Sequence, residues 1–190
     1  WQTAADSIQK CINICVDGDT VYVANGVYKE NLVINTAISL IGSSMDSTII
    51  DGTGTLPDFA TVYFLDHDSY IQNFNIIGSG ISSNRAGIST RRSNVKSKFC
   101  RISNSFDGIS VNFSSVDFSL FFIKNIRTAL IIEDPVDTSN SKFSNSIIVT
   151  QNGGIFSAIN LSYGGNHIIS NNLIVEENNG NTLRGISSDY

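Results

Sequence analysis

The feature that most constrains the fold is a sequence repeat that starts near residue 70. Apolar-x-apolar pairs recur at spacings of 26, 21, 26 and 26 residues: Phe74 with Ile76, Cys100 with Ile102, Phe121 with Ile123, Ile147 with Val149, and Leu173 with Val175. A small residue followed by an aliphatic one recurs at spacings of 21, 21, 29 and 27 residues: Gly87-Ile88, Gly108-Ile109, Ala129-Leu130, Ala158-Ile159 and Gly185-Ile186. Such a period is typical of a repeat architecture.

The residue types favour a β-solenoid over leucine-rich repeats, which share the period but need a framework of Leu and Asn. Here Ile, Val, Phe, Ser and Asn dominate. In a coil of about twenty-odd residues per turn, short strands pair with the turns above and below, aliphatic residues stack inside and polar residues stack outside. Residues 18–190 are therefore predicted to form turns of 21–29 residues.

Composition limits the function classes. A chain of 190 residues with 41% hydrophobic content is enough for one domain with a continuous core. Charged residues make up 15%, with 17 acidic against 12 basic side chains, so no nucleic-acid partner is expected. No apolar run approaches the ~20 residues of a membrane span.

The first residues predict a cap for the coil. Helix-capping residues in Thr3-Ala4-Ala5-Asp6-Ser7 precede Ile8, Ile12 and Cys15, which share one helical face. We expect an amphipathic helix at roughly residues 4–15, with residues 1–17 forming a capping helix and turn. This cap would cover the apolar core and the open strand edge.

The cysteines allow two interpretations. Cys11, Cys15 and Cys100 are an odd number without metal-ligand spacing, so buried thiols are expected. A disulfide from Cys11 or Cys15 to Cys100 is the alternative for an extracellular protein.

A family resemblance follows from "SIQKCINICVDGDTVYVANGVYKENLVINTAISLIGSSMDSTIIDG" at residues 7–52. This segment resembles the N-terminal cap and first turns of the pectin-lyase-like right-handed parallel β-helix superfamily, and "NHIISNNLIVEENNGNTLRGIS" resembles its Asn-rich repeats. The resemblance implies one all-β domain over residues 1–190, a single-stranded right-handed parallel β-helix (solenoid) with a short N-terminal capping α-helix. It does not fix the function, because this scaffold carries lyases, hydrolases, esterases, epimerases and non-catalytic surface modules.

Enzyme signatures of that superfamily are incomplete in this chain. Pectin methylesterases resemble the N-terminus most, and the resemblance implies paired catalytic aspartates in Gln-Asp and Val-Asp-Phe contexts. Val116-Asp117-Phe118 is similar to the second motif, but no Gln-Asp precedes it. The aspartate signatures of polygalacturonases are absent, and the acidic residues are scattered rather than gathered as in calcium-dependent pectate lyases.

The first candidate site is Asp66-His67-Asp68. It is similar to the Asp-Pro-His-Asp core of alginate epimerases, without the proline. An imidazole between two carboxylates has its charged form stabilised, so these three residues are candidate catalytic residues. The alternative is a polar corner between two strands.

The second candidate site follows from the repeat. Aligning the small-plus-aliphatic steps puts Arg91, Asn112, Glu133, Ser162 and Asp189 on one outward line, flanked by Arg85, Asp107 and Arg127. Arg91, Asn112, Glu133, Arg127 and Asp107 are candidate substrate-binding residues for a sugar polymer along the axis, or else an ordinary soluble surface. Tyr63, Tyr70 and Tyr163 are the candidate exposed aromatics, whereas Phe106, Phe113, Phe118, Phe121 and Phe122 are expected in the core or at corners. No metal site or cofactor is indicated, and calcium between carboxylates stays an alternative.

Three functional hypotheses remain open. The leading one is a non-catalytic segment of a secreted or cell-surface protein, serving as scaffold, adhesin or polysaccharide-contact module. The others are a carbohydrate-active enzyme, a lyase or epimerase on an acidic polysaccharide, and a structural module that assembles end to end. Because "RGISSDY" stops within a predicted strand, we expect a longer protein, with further domains or a partner chain at this end.

Overall fold

A computed structural model describes residues 5–55, 59–80, 85–133, 139–151, 157–162, 165–177 and 184–189. In these ranges one helix, α1 (Ile8–Ile12), precedes nineteen strands. The first ten strands are β1 (Thr20–Val23), β2 (Gly26–Tyr28), β3 (Leu32–Ile34), β4 (Ser39–Gly42), β5 (Thr48–Asp51), β6 (Ala60–Leu65), β7 (Ser69–Gln72), β8 (Asn75–Gly80), β9 (Ala86–Arg91) and β10 (Asn94–Lys98). The others are β11 (Arg101–Asn112), β12 (Ser115–Ser119), β13 (Phe122–Glu133), β14 (Lys142–Ser144), β15 (Ile147–Gln151), β16 (Ser157–Ser162), β17 (Ile168–Ser170), β18 (Leu173–Glu177) and β19 (Arg184–Asp189).

The strands form a coil with three flat faces. Sheet A has the order β1-β4-β7-β10-β12-β14-β17. Sheet B contains β2, β5, β8, β15 and β18 with the first halves of β11 and β13, and sheet C contains β3, β6, β9, β16 and β19 with the second halves of those two strands. Neighbouring strands pair in parallel, each with the turn before and after. The predicted all-β solenoid with a short N-terminal helix is therefore confirmed.

The core of sheet C follows the small-plus-aliphatic steps of the sequence. Six aliphatic side chains of sheet C lie in register from turn to turn, and all six are fully buried: Leu32, Val62, Ile88, Ile109, Leu130 and Ile159. Stacking one aliphatic side chain on the next removes each from water, which contributes roughly 1.5–3 kcal/mol per side chain. The register of this half of the predicted repeat is confirmed, although Ile186, opposite Ile159 in the last described strand, is 54% exposed.

The other half of the repeat is wrong in its last two turns. Ile123 pairs with Ile148, and Ile148 with Ile174. Ile148 is fully buried, whereas Ile147 and Leu173 are 41% and 56% exposed. The predicted pairs Ile147 with Val149 and Leu173 with Val175 therefore face outward, because a shift of one residue along a strand moves a side chain to the other face.

The corners between sheets use residues with left-handed backbone, among them Asn104 where β11 passes from sheet B to sheet C. Between sheets A and B these residues are Asn73, Phe99, Leu120, Asn145 and Asn171, and between sheets C and A they are Asp66, Arg92 and Phe113. Asn tolerates this conformation because its short polar side chain bonds locally, whereas Phe and Leu do so at a cost. A sharp corner thus needs only one such residue per turn.

The capping helix is shorter than predicted. It begins at Ile8 and ends at Ile12, with Ser7 as the N-cap, and residues 1–4 of the predicted capping segment lie outside the described residues. Ile8 and Ile12 are buried, but Ile14 is 83% exposed. Five residues are too few for a stable isolated helix, so tertiary contacts must hold it.

Glu30 supplies those contacts from the first turn of the coil. Its carboxylate accepts hydrogen bonds from the Ser7 hydroxyl (2.8 Å) and from the backbone N–H groups of Ile8 (2.8 Å) and Gln9 (3.1 Å). An anion is favourable where the first N–H groups of a helix lack internal partners. The Glu of the Gly-x-Tyr-x-Glu segment at residues 26–30 therefore fixes the cap to the coil.

Gln9 covers the open edge of β3. Its side-chain carbonyl accepts from the Val33 N–H (2.8 Å), and its amide donates to the Val33 carbonyl (3.1 Å). The side chain thus takes the place of one peptide unit of a neighbouring strand. Edge groups paired in this way do not recruit another chain.

The three cysteines are free thiols. Cys100 is fully buried inside the coil, where burial raises the pKa of its thiol to about 11, while Cys11 and Cys15 pack partly buried against the core under the cap. The alternative of a disulfide to Cys100 is wrong, and the expectation of a buried thiol is confirmed for Cys100 only, since Cys11 and Cys15 are half-buried.

Candidate functional site

The Asp66-His67-Asp68 segment forms the corner between β6 of sheet C and β7 of sheet A. Arg92 of the next turn donates to the Asp66 carboxylate, and this contact holds the pKa of Asp66 below its usual range. Asp68 accepts from the Asn94 backbone N–H (2.9 Å) and side-chain amide (3.2 Å). Both carboxylates thus join successive turns, which favours the structural alternative, a polar corner.

The outward line of the second candidate site exists on sheet C. Arg91 pairs with Asn112, Asn112 with Glu133, Glu133 with Ser162, and Ser162 with Asp189. Arg91 and Glu133 are exposed and Asn112 is half-buried. At about 4.8 Å per turn, Arg91 and Glu133 are about 10 Å apart along the axis. We call Arg91, Asn112, Glu133, Arg127 and Asp107 the sheet C strip.

Asp107 has the most unusual environment in the sheet C strip. Burial raises the pKa of its carboxyl to about 6, although the Arg127 guanidinium and a hydrogen bond with Thr128 lower it, and Glu133 raises it further. One carboxylate oxygen, Oδ1, is buried without a hydrogen-bond partner. A carboxyl with this pKa can release and regain a proton near neutral pH.

Phe106 and Thr128 complete the surroundings of Asp107. The Arg127 guanidinium lies 4.4 Å from the centroid of the Phe106 ring, in a cation–π contact that orients it. Across the strands, Asp107 is opposite Ala86 in one neighbouring turn and Thr128 in the other. The sequence interpretation missed Thr128 and Phe106, although Thr128 stands one 21-residue repeat after Asp107.

Asp117 of the Val-Asp-Phe segment lies elsewhere. It is exposed on sheet A, between Lys96 and Lys142 of the adjacent turns. Asp107 in sheet C and Asp117 in sheet A therefore lie on different faces of the coil.

The aromatic residues follow the predictions only in part. Phe118 and Phe121 are buried, and Phe106 and Phe122 are half-buried, whereas Phe113 is a corner residue that is 46% exposed. Tyr63, predicted to be exposed, is 6% exposed because it stacks on Phe59 at 4.8 Å. Tyr70 is half-buried, and Tyr163 lies outside the described residues.

The described residues contain no helix that is long and apolar enough to cross a membrane. Nor do they bring three or more His, Cys, Asp or Glu side chains together at a site that could hold a metal ion.

Several solved structures of pectin methylesterases have the same architecture, and they show that the chain has the right-handed parallel β-helix fold. The enzyme from carrot superposes with a TM-score of 0.70 at 15% identity, covering 90% of this chain and 59% of that one. An aspartate-to-alanine mutant of a pectin methylesterase, in complex with a hexasaccharide, superposes with a TM-score of 0.69 at 16% identity. The match covers 93% of this chain and 64% of that one. The pectin methylesterase PemA from Erwinia chrysanthemi superposes with a TM-score of 0.60 at 16% identity, covering 88% of this chain and 63% of that one.

The chain spans less than two thirds of the length of these structures. No family model matches the chain, and no curated protein matches it by sequence.

Proposed function

We propose that this chain belongs to a secreted, carbohydrate-active enzyme that acts on an acidic polysaccharide of the pectin type at the sheet C strip. The observation that carries this proposal is Asp107, a half-buried carboxyl of β11 with a raised pKa on which the charges of Arg127 and Glu133 act. Perturbed carboxyls of this kind are concentrated at functional sites. The likeness to pectin methylesterases, one of them crystallised with a hexasaccharide, supports the choice of polymer.

Each member of the strip has a role in this proposal. Arg91 and Arg127 offer guanidinium groups, which bind carboxylates of a polyuronate with two parallel hydrogen bonds. The Asn112 amide can bond sugar hydroxyls, with its position held by its own contact to Ser110 (3.0 Å). Asp107 then transfers a proton to or from the bound uronate residue as general acid or base.

The test is turnover of defined polymers. The protein is incubated with polygalacturonate, methyl-esterified pectin, alginate and a neutral glucan, with and without calcium, and methanol release and the ultraviolet absorbance of unsaturated products are followed. Asp107→Asn should lower turnover of the acidic polymer at least about 100-fold, because general acid–base catalysis contributes that much or more.

Asp46→Asn is the matched control. It removes an exposed carboxylate of the same type that contacts Arg101 outside the sheet C strip, and it should leave turnover unchanged. Equal turnover of wild type and Asp107→Asn would contradict the role of Asp107. Absence of both product and binding with every acidic polymer would contradict the proposed function.

A second candidate, a non-catalytic polysaccharide-contact module, is favoured by one observation. The cross-strand neighbours of Asp107 are Ala86 and Thr128, so the strip does not place a second carboxyl directly opposite it. Binding of an acidic polymer without any product would support this candidate.

A further inference from the structure

We propose that the outer face of sheet A is a second binding surface for the same acidic polymer, in which Lys96 and Lys142 bind carboxylates two turns apart and Asp117 excludes a carboxylate from the turn between them. We call these three residues the sheet A ladder. The inference rests on the proposed function for the class of polymer. It adds a surface that holds the polymer without reacting with it, and it makes a partly esterified polyuronate the preferred ligand.

The sheet A ladder follows from the register of its strands. Lys96 of β10 is paired with Asp117 of β12, and Asp117 is paired with Lys142 of β14. All three side chains are exposed. A positive, a negative and a positive group therefore follow one another along the axis, and the two lysines start from backbone positions about 10 Å apart, at about 4.8 Å per turn.

A further lysine adds to the positive charge of this face. Lys98 lies two residues after Lys96 on the same side of β10, paired with Gln72 of the preceding turn and Ser119 of the following one. From β7 to β14 the outer face of sheet A thus carries three lysines and one aspartate, whereas the whole chain has a net charge of -5. A local excess of positive charge directs a polyanion to this face and away from the acidic remainder of the surface.

The inner side of sheet A fixes the spacing of the sheet A ladder. Val95, Val116, Phe118 and Phe143 alternate with the outward residues and are buried in the core. Strands on such a packed core hold their outward residues at a constant backbone separation. Binding then has to order only the side chains, which lowers its entropic cost.

The charged groups of the sheet A ladder are available to a ligand. None of the ion pairs among the described residues includes Lys96, Asp117 or Lys142. Charges that are fully in water interact weakly with one another. A polymer carboxylate can therefore bind either ammonium group without breaking a strong contact within the protein.

Asp117 determines which polymer fits. When one sugar residue lies over each turn, a fully charged polyuronate places a carboxylate against Asp117, and the two like charges repel. A neutral methyl ester at that residue avoids the repulsion, while the flanking carboxylates still reach Lys96 and Lys142. The sheet A ladder therefore favours partly esterified pectin over polygalacturonate.

The sheet A ladder and the sheet C strip lie on different faces of the coil, with the corner at Asp66, Arg92 and Phe113 between them. A polymer segment on sheet A leaves the strip open to another segment of the same molecule. Holding one segment raises the effective concentration of the others at the strip. The second surface thus keeps a long substrate attached between reactions.

The experiment measures binding by isothermal titration calorimetry in the Asp107→Asn background, in which the proposed turnover is stopped. The ligands are polygalacturonate and half methyl-esterified pectin of equal length. Lys96→Gln/Lys142→Gln is the test variant. Lys29→Gln/Lys124→Gln is the matched control, because it removes two exposed lysines outside sheet A and changes the net charge equally.

Lys96→Gln/Lys142→Gln should weaken binding of the half-esterified pectin about 3- to 10-fold, and the control variant should weaken it less than about 2-fold. Asp117→Asn should strengthen binding of polygalacturonate about 2- to 5-fold and leave binding of the half-esterified pectin nearly unchanged. Unfolding cannot produce a gain in affinity, so this variant tests the arrangement of charges itself.

Equal losses in the two lysine variants would overturn the sheet A ladder, because net charge alone would then explain them. Equal gains for both polymers in Asp117→Asn would overturn the role of Asp117 in selecting the esterified polymer. Binding that depends on Lys96 and Lys142, without turnover of any polymer by the wild type, would support the ladder and contradict the proposed catalysis. Turnover with binding that does not depend on these lysines would do the reverse, and absence of wild-type binding to any acidic polymer would overturn both.

Discussion

The carboxyl group of Asp107 sits where its charge is disfavoured. Burial raises its pKa to about 6, and the opposing effects of Arg127 and Thr128 do not cancel this. A residue with no function at this position would be expected to be small or neutral, as Ala86 and Thr128 are at the equivalent positions of the neighbouring turns. The acid is therefore retained at a cost to folding.

Asp107→Asn is expected to stabilise the protein at neutral pH. Because the folded pKa lies above the reference value of 3.8, proton binding by Asp107 favours the folded state fully below about pH 4, and this contribution is lost as the pH rises through about 6. Asn mimics the protonated form, so the gain should reach up to about 3 kcal/mol above pH 6 and vanish near pH 4. Urea unfolding across this pH range measures it.

The exposed Asp117 provides the comparison for that experiment. Asp117→Asn should change the free energy of unfolding little at any of these pH values, because the side chain stays in water. A constant difference between Asp107→Asn and wild type from pH 4 to pH 7 would show that Asp107 is not buried as described.

At the scale of a strand, the register of β15 decides which isoleucine supports the core. Ile148→Ala should lower the free energy of unfolding by about 2–5 kcal/mol, because Ile148 is fully buried between Ile123 and Ile174. Ile147→Ala, one residue away, should cost about 0.5 kcal/mol or less, because its side chain faces solvent. Chemical unfolding of the two variants under the same conditions separates them, and similar losses would contradict the register.

Strand β15 also shows where a sequence pattern does not predict the register. Residues 147–149 are three successive aliphatics, Ile-Ile-Val, so no alternation reveals which one points inward. On sheet C, by contrast, a Gly or Ala marks each step, and the register was predicted correctly from Gly87-Ile88 onward. The outward line of Arg91, Asn112 and Glu133 followed from the same steps.

At the scale of the cap, Glu30 should carry much of the stability of α1. Glu30→Gln keeps the size of the side chain but removes the charge that accepts hydrogen bonds from Ser7, Ile8 and Gln9. We expect a loss of about 1–2 kcal/mol in the free energy of unfolding, measured with urea. Asp6→Asn breaks only the exposed ion pair with Lys10 and should cause no measurable change.

At the scale of the whole molecule, Cys100 reports opening of the coil. Its thiol is fully buried, and burial raises its pKa to about 11, so a thiol reagent cannot attack it in the folded protein. In a Cys11→Ser/Cys15→Ser variant, labelling of the remaining thiol should be slow and should accelerate with urea in step with unfolding. Rapid labelling in buffer alone would contradict the closed core.

Most of the architecture was predictable from the sequence because each turn repeats the pattern of the last. The left-handed backbone of Arg92 and Phe113 was not predictable, since neither residue type favours this conformation as Asn does. Likewise the burial of Asp107 arises where β11 passes from sheet B to sheet C, and spacing alone cannot report burial. Irregular corners, together with the register of β15, therefore hold the features that the sequence pattern does not predict.

The parallel register also has a consequence for synthesis on the ribosome. In sheet C each strand pairs with a segment only 21 to 30 residues earlier in the chain, from Leu32 with Val62 to Ile88 with Ile109. The cap and first turn emerge first, and each later turn meets a finished template as it leaves the exit tunnel. The fold thus grows in the same direction as translation, and none of the described strands pairs with a segment far away in the sequence.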